Sequence, residues 1–202
     1  MASTLSQTAN VTAVILAGGQ ARRMGGGDKG LVQLAGRPMI EYVIDALKSQ
    51  VDLILINANR NKEIYENYSF PVIADLHEGY KGPLVGMITA MTRANTDYII
   101  TVPCDAPLLP ADYVERMIKQ TVSNKGDIGV ADSGERIQPV FSLLKCSLFE
   151  SLNHYLESGE RKIDIWFKQH KLVKVDFSDK PDIFENINTM EDVNNLESRL
   201  IQ

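Results

Sequence analysis

The chain has 202 residues, which suits one domain of ordinary size, able to bury roughly 70% of the surface that its unfolded form exposes. Hydrophobic residues make up 44% and charged residues 23%, so the composition is that of a globular protein. The net charge of −5 argues against broad nucleic-acid binding, and the two cysteines, Cys104 and Cys146, are too few for a secreted disulfide framework.

The first ten residues, Met1 to Asn10, are small and polar, and we expect a flexible segment over 1–10 followed by one domain over 11–202. This segment lacks the basic and apolar stretches of a signal peptide. No run approaches the ~20 apolar residues that a membrane helix needs. A cytoplasmic protein is therefore expected, with neither a membrane nor a nucleic acid as a partner.

The first half of the chain alternates predicted strands with predicted helices. Strands are indicated by short β-branched and apolar runs, and helices by apolar residues at helical spacing or by an initiating proline. In chain order these are strand Thr12 to Leu16, a loop from Ala17 to about Gly30, a helix from Pro38, strand Val51 to Asn57, helix Lys62 to Asn67, strand Pro71 to Asp75, a helix from Gly82-Pro83, and strand Asp97 to Val102.

The second half continues the alternation with more strands of the same kind. It predicts helix Asp112 to Val122, strands Ile128 to Ala131 and Pro139 to Leu144, helices Leu148 to Leu156 and Ile163 to Gln169, strand Leu172 to Phe177, and a last helix to about Leu200 that Thr189 and Asp192 cap. Strands alternating with helices predict βαβ units. The expected fold class is α/β: a single-domain, Rossmann-like, mainly parallel sheet with helices on both faces.

Four predicted strands end in residues suited to a nucleotide. The first leads into a glycine-rich loop, and the next three end at or just before Asn57, Asp75 and Asp105. Ligands of open α/β sheets bind beyond the carboxyl ends of the strands, and parallel strands bring those ends to one edge. Taken singly, Asn57 could be a loop amide and Asp75 could cap a turn.

The loop from Leu16 to Gly30 combines glycine with positive charge. Six of its fifteen residues are glycine, and Arg22, Arg23 and Lys29 lie among them. Glycine lets backbone amides approach an anion closely, and successive amides form concave anion sites. Lys29 is followed by glycine rather than Ser or Thr, so this is not a P-loop of the Walker type. A triphosphate site is predicted, and a flexible surface loop is the alternative.

Asp105 follows a buried strand and lies between two prolines, Pro103 and Pro107, which stiffen the backbone. Magnesium typically binds one or two carboxylates and completes its coordination with substrate phosphates and water. A rigid aspartate opposite a phosphate loop therefore predicts a magnesium ligand, with a turn or helix-cap aspartate as the alternative. No base is identifiable near Cys104, which we interpret as a packing residue.

The motifs resemble a known family. Leu16-Ala17-Gly18-Gly19, Arg23-Met24-Gly25 and Asp28-Lys29 resemble the signature loop of nucleotidyltransferases that use nucleoside triphosphates. Over nearly its whole length, the sequence most resembles the molybdenum cofactor guanylyltransferase (MobA) family. The further segments that carry this resemblance are Asn57-Ala58-Asn59-Arg60, Gly82-Pro83-Leu84-Val85-Gly86, Pro103-Cys104-Asp105-Ala106-Pro107, Gly159-Glu160-Arg161 and Asn186-Ile187-Asn188-Thr189.

The resemblance implies a fold like that of nucleotide-diphospho-sugar transferases and a transfer of GMP from GTP to molybdopterin that carries molybdenum. It implies Mg²⁺ on Asp105. In the mechanism that we expect, the catalytic residues are Asp105, which holds this ion, and Lys29 and Arg23, which steady the charge of the departing pyrophosphate. Transient contacts with proteins that deliver or accept the cofactor are expected on chemical grounds, because the cofactor is labile. By the same resemblance the nucleotide would contact Leu16, Ala17, Gly18, Gly19, Lys29, Asn57, Asp75 and Asp105, and the pterin would contact Asn186 and Asn188.

Other functions fit parts of the pattern. A cytidylyltransferase acting on the same pterin, or a sugar-1-phosphate nucleotidyltransferase, would keep the fold and change the substrates. A nucleotide-sensing adaptor would keep the fold without the reaction. The choice of guanine rests on the resemblance alone, whereas the retained lysine and aspartate favour an enzyme.

Overall fold

A computed structural model describes residues 10–18, 27–76, 82–185 and 187–200 of the chain. The expected flexible segment over 1–10 lies almost wholly outside this range. Three predicted site residues, Gly19, Arg23 and Asn186, also lie outside the described residues.

The described residues form one seven-stranded sheet and a two-stranded hairpin. The strands are β1 (Val11–Leu16), β2 (Gln33–Leu34), β3 (Arg37–Pro38), β4 (Leu53–Asn57), β5 (Val72–Ile73), β6 (Tyr98–Pro103), β7 (Ile128–Asp132), β8 (Ile137–Lys145) and β9 (Leu172–Asp176). The large sheet has the order β5-β4-β1-β6-β8-β7-β9, and β2 pairs with β3. Neighbouring strands are parallel except where β8 pairs with β6 and β7, so the predicted, mainly parallel sheet is confirmed.

Helices cover both faces of the sheet, as predicted. They are α1 (Met39–Leu47), α2 (Lys62–Glu66), α3 (Pro83–Met91), α4 (Tyr113–Ser123), α5 (Phe149–Glu157), α6 (Ile163–Phe167) and α7 (Met190–Leu200). Strand β1 is buried on both sides: Ala13 and Ile15 pack with the α1 and α4 side, and Val14 packs with the α3 and α5 side. Among the described residues, no helix has the length and apolar character that crossing a bilayer requires.

The register of the central strands aligns their carboxyl ends. Leu16 at the end of β1 lies opposite Asn57 at the end of β4 and opposite Pro103 at the end of β6. Beyond these ends, Ala17 N–H donates to the Asn57 carbonyl (2.8 Å) and Cys104 N–H donates to the Leu16 carbonyl (3.2 Å). The loops that follow three separate strands therefore begin side by side.

The hairpin of β2 and β3 is not among the predicted elements, which do not cover residues 31–37. Its turn is tight, with positive φ angles of 49° at Ala35 and 77° at Gly36. The hairpin supports the last helix: Ala35 N–H donates to Glu197 Oε1 (2.6 Å), and Leu34 packs with Val193. This contact returns the end of the chain to the edge of the sheet where β1, β4 and β6 end.

Candidate nucleotide site

Lys29 connects two predicted parts of the site. Its ammonium donates to Asp105 Oδ2 (3.0 Å) and to Asn188 Oδ1 (2.6 Å). The side chains of Lys29 and Asp105 are 19% and 14% exposed, so both are mostly buried but still reach solvent. The structure therefore brings together Lys29 and Asp105, predicted on the nucleotide side, and Asn188, predicted on the pterin side.

The segment that carries Asn188 is fixed by the start of α7. Asp192 Oδ2 accepts the backbone N–H groups of both Asn188 and Thr189 (2.8 Å each), and Asp192 N–H donates back to Thr189 Oγ1 (3.1 Å). This reciprocal arrangement is a capping box, as the sequence predicted. The hydrogen bond from the Asn188 backbone, followed by those from Thr189, lowers the pKa of Asp192 from its ordinary value, so the cap stays charged.

Asn57 and Asp75 meet at the other side of the same sheet edge. Asn57 Nδ2 donates to Asp75 Oδ1 (2.9 Å). Asn59, which is not among the predicted site residues, donates to Asp75 Oδ2 (2.7 Å) and accepts the backbone N–H of Asp75 (2.8 Å). Two side-chain amides thus hold one carboxylate in a single orientation.

Helix α3 approaches this pair without room for a side chain. A Cβ placed on Gly86 would overlap Asn57 Oδ1 and would lie 2.7 Å from Leu16 Cδ2. The close contact sets the helix directly against the ends of β1 and β4. Glycine at position 86 is therefore required if Asn57 is to keep its hydrogen bond to Asp75.

Asp28 has the deepest carboxylate of this region, with a side chain that is 1% exposed. It accepts hydrogen bonds from Arg60 Nη2 and from Asn61 Nδ2, the latter at 2.9 Å. Both partners belong to the loop after β4. Its position next to Lys29 could have marked Asp28 as a site residue from the sequence. Its burial, however, depends on a loop more than thirty residues away in the chain.

Cys104 packs against Gly30, at the end of the glycine-rich loop. A Cβ on Gly30 would lie 3.0 Å from Cys104 Cβ and 3.1 Å from its Sγ, so the loop rests directly on the end of β6. Burial, followed by the charge of Asp105, raises the pKa of the Cys104 thiol far above its ordinary value. The thiol stays protonated, in agreement with its interpretation as a packing residue.

Of the predicted site residues that the structure describes, all lie at this edge of the sheet. They form a Lys29–Asp105–Asn188 cluster, an Asn57–Asp75 pair, and the β1 terminus with Leu16, Ala17 and Gly18. Within the described ranges, no three His, Cys, Asp or Glu side chains form a group that could hold a metal by themselves.

Comparison with known proteins places this chain in a family. The model of the MobA-like NTP transferase domain matches residues 13–173. The molybdenum cofactor guanylyltransferase of Shewanella piezotolerans strain WP3 is 53% identical over 184 residues, covering 91% of this chain and 90% of the relative. The protein of the same name from Shewanella sp. strain W3-18-1 is 51% identical over 195 residues, covering 96% and 100%.

Solved structures share the fold. Molybdopterin-guanine dinucleotide biosynthesis protein A from Archaeoglobus fulgidus superposes with a TM-score of 0.80 at 22% identity, covering 94% of this chain and 98% of that one. A CMP:2-keto-3-deoxy-manno-octonic acid synthetase complexed with CTP superposes with a TM-score of 0.74 at 12% identity, covering 96% and 99%. The fold class expected from the sequence is therefore confirmed.

Proposed function

Because the chain belongs to the MobA-like NTP transferase family and is a nucleotidyltransferase, we propose that it transfers GMP from GTP to molybdopterin that carries molybdenum. The products are molybdopterin guanine dinucleotide and pyrophosphate. A role in molybdenum cofactor biosynthesis agrees with the names of its relatives. The observation that carries the proposal is the Lys29 ammonium, which contacts Asp105 and Asn188 at once.

The arrangement of the site suits an extended nucleotide. Asp75 follows β5 and Asp105 follows β6, and three strand spacings separate these strands in the sheet, roughly 14 Å. This span is comparable with the length of a nucleoside triphosphate. We place the base and sugar near Asn57 and Asp75, and the phosphates between the end of β1 and Lys29. Gly19, which lies outside the described ranges, is also expected to contact the nucleotide.

The donor set at Asp105 fits magnesium. Asp105 offers one partly exposed carboxylate at a strand end, and Mg²⁺ characteristically binds one or two carboxylates with substrate phosphates and water. When bound, Mg²⁺ would supply positive charge against the triphosphate. Asp105 would hold it, as the resemblance implies.

The reaction needs positioning more than proton transfer. A terminal phosphate oxygen of molybdopterin forms a bond to the α-phosphorus of GTP, and the bond from the α-phosphorus to the bridging oxygen breaks with its electron pair leaving on pyrophosphate. The attacking oxygen is already anionic, so no general base is required. Lys29, together with Arg23, which lies outside the described residues, offsets the charge of the phosphates, and Asn188 orients the acceptor.

Thermal shifts test the nucleotide. At about 100-fold over its dissociation constant, a ligand adds ~2.7 kcal/mol to stability, which raises the Tm of a chain of this size by roughly 5–11 °C. We expect this shift for GTP with Mg²⁺, and smaller shifts for CTP, ATP and UTP. A larger shift with CTP would favour the cytidylyl alternative and reject the guanylyl assignment.

Substitutions test the residues. Asp105→Ala should remove most pyrophosphate release, and Lys29→Ala should weaken GTP binding about 10- to 100-fold, the range for one charge-assisted hydrogen bond. Lys145→Ala is the matched control for Lys29→Ala, because Lys145 also pairs with an aspartate, Asp127 at 2.8 Å, away from the site. Wild-type turnover in Asp105→Ala would remove Asp105 from the mechanism.

A further inference from the structure

The role of Asp28 follows from where its two partners lie. Its carboxylate is buried and accepts from Arg60 and Asn61, which belong to the loop between β4 and α2. Asp28 itself immediately precedes Lys29. The contact therefore joins the carboxyl end of the phosphate loop to the loop that follows the neighbouring strand.

A buried ion pair is a poor source of net stability, because the loss of hydration offsets the attraction between the charges. An apolar residue of similar size would fill the same space. The pair differs from an apolar contact because its hydrogen bonds are directional, and a directional contact favours one orientation of the two loops that it joins. Arg60 is 38% exposed, so it remains hydrated if the carboxylate is removed.

The neighbours of Asp28 in the chain show what is being held. The Lys29 ammonium reaches Asp105 and Asn188, and Gly30 rests on Cys104. Gly30 therefore contacts Cys104 at the end of β6, and Asp28 is hydrogen-bonded to the loop after β4. The backbone of Lys29 lies between these two contacts. A lysine side chain is long and flexible, so the position of its ammonium depends on a fixed backbone.

We propose that Asp28 is a positioning residue that acts through Lys29, with Arg60 as its partner. The inference rests on the proposed function, because it assigns Lys29 to the phosphates of the nucleotide. Asp28 does not touch the substrate. Its ion pair with Arg60 holds the Lys29 backbone in the position from which the ammonium contacts the phosphates. A displacement of a binding group by about 1 Å is enough to lower the rate roughly 100-fold.

A double-mutant cycle tests this directly. Asp28→Asn keeps the shape and removes the charge. We expect it to lower kcat/KM for GTP about 10- to 100-fold, and to weaken binding of GTP with Mg²⁺ in isothermal titration, while Tm stays within a few degrees of the wild type. In the Lys29→Ala background the same substitution should change kcat/KM less than about 2-fold, because the group through which it acts is gone.

Two further variants keep the test decisive. Arg60→Gln approaches the pair from its exposed side and should reproduce the loss, whereas Arg60→Lys, which keeps the charge, should recover part of it. Asp127→Asn is the control: it breaks the pair with Lys145 at the start of β7, on the opposite edge of the sheet, and should leave GTP binding unchanged.

The outcomes separate the two proposals. If the wild type binds no nucleoside triphosphate, the proposed function fails and the role of Asp28 fails with it. If the wild type binds GTP but Asp28→Asn binds it equally well, only the role of Asp28 is wrong. Additive losses in Asp28→Asn with Lys29→Ala, or losses that follow Tm, would show a purely structural residue.

Discussion

Gly86→Ala should weaken nucleotide binding by displacing the side chain of Asn57, which lies directly against Gly86. The added Cβ would overlap Asn57 Oδ1 and lie 2.7 Å from Leu16 Cδ2. Asn57 is 4% exposed, so its amide is displaced inside the fold rather than into solvent, and its hydrogen bond to Asp75 should be lost. Overpacking costs about 1–3 kcal/mol, and a hydrogen bond to a charged group contributes about 1.5–3 kcal/mol.

These magnitudes give two separate readouts. The overpacking should lower Tm by about 2–12 °C for a chain of this size. The released Asp75 should weaken GTP binding about 10- to 100-fold in isothermal titration. The comparison variant is Gly129→Ala, whose added Cβ would overlap Thr121 Oγ1 away from the site and should lower Tm without changing GTP affinity. Equal GTP affinity in Gly86→Ala and the wild type would refute the proposed contact of Asp75 with the nucleotide.

Three other predictions follow from the described contacts. Burial lowers the pKa of His170 from its ordinary value of 6.5, so His170 binds a proton less readily in the folded protein than in the unfolded chain. The stability that neutral His170 allows is therefore complete above pH 6.5 and is lost as the pH falls below it. Urea titrations at pH 7.5 and 5 should show a smaller loss for His170→Gln than for the wild type, and equal losses would contradict the burial effect. Arg116→Ala removes the hydrogen bonds to Asp179, one of them from Nη2 to Oδ2 at 3.0 Å, and the cation–π contact in which Cζ lies 4.8 Å from the Phe177 ring centroid. Tm should fall by a few degrees with GTP affinity unchanged. Asp192→Ala removes the acceptor of the Asn188 and Thr189 backbone N–H groups, and should raise KM for the pterin acceptor more than KM for GTP; the reverse order would place Asn188 on the nucleotide side.

Local patterns in the sequence were enough to predict most of the sheet. Continuous apolar runs such as the one ending at Leu16 predict strands that are buried on both faces, and β1 is buried on both faces. Strand β5 is shorter than predicted, Val72–Ile73 rather than Pro71 to Asp75, because pairing with the end of β4 involves only those two residues. The antiparallel direction of β8 depends on a tight turn after β7, which residue spacing alone did not reveal.

The site was predicted where its residues follow strands, and missed where they depend on contacts between loops. Asn57 ends a strand and Asp75 and Asp105 follow strands, so the rule for parallel sheets put all three at one edge of the sheet. The contact of Asp28 with Arg60 and that of Asn59 with Asp75 each depend on the paths of two loops, which local sequence patterns do not predict. Asn188 reaches Lys29 because α7 packs on the β2–β3 hairpin, which has no strong sequence signal.

The most direct test of the proposed function is a competition between nucleotides with the acceptor present. The protein is incubated with molybdenum-loaded molybdopterin, Mg²⁺ and equal concentrations of GTP and CTP, and the dinucleotide product is identified by mass while pyrophosphate is measured. We expect molybdopterin guanine dinucleotide in amounts equal to the pyrophosphate released, with little of the cytosine product. A predominantly cytosine dinucleotide, or no dinucleotide from an enzyme that binds GTP, would contradict guanylyl transfer to the pterin.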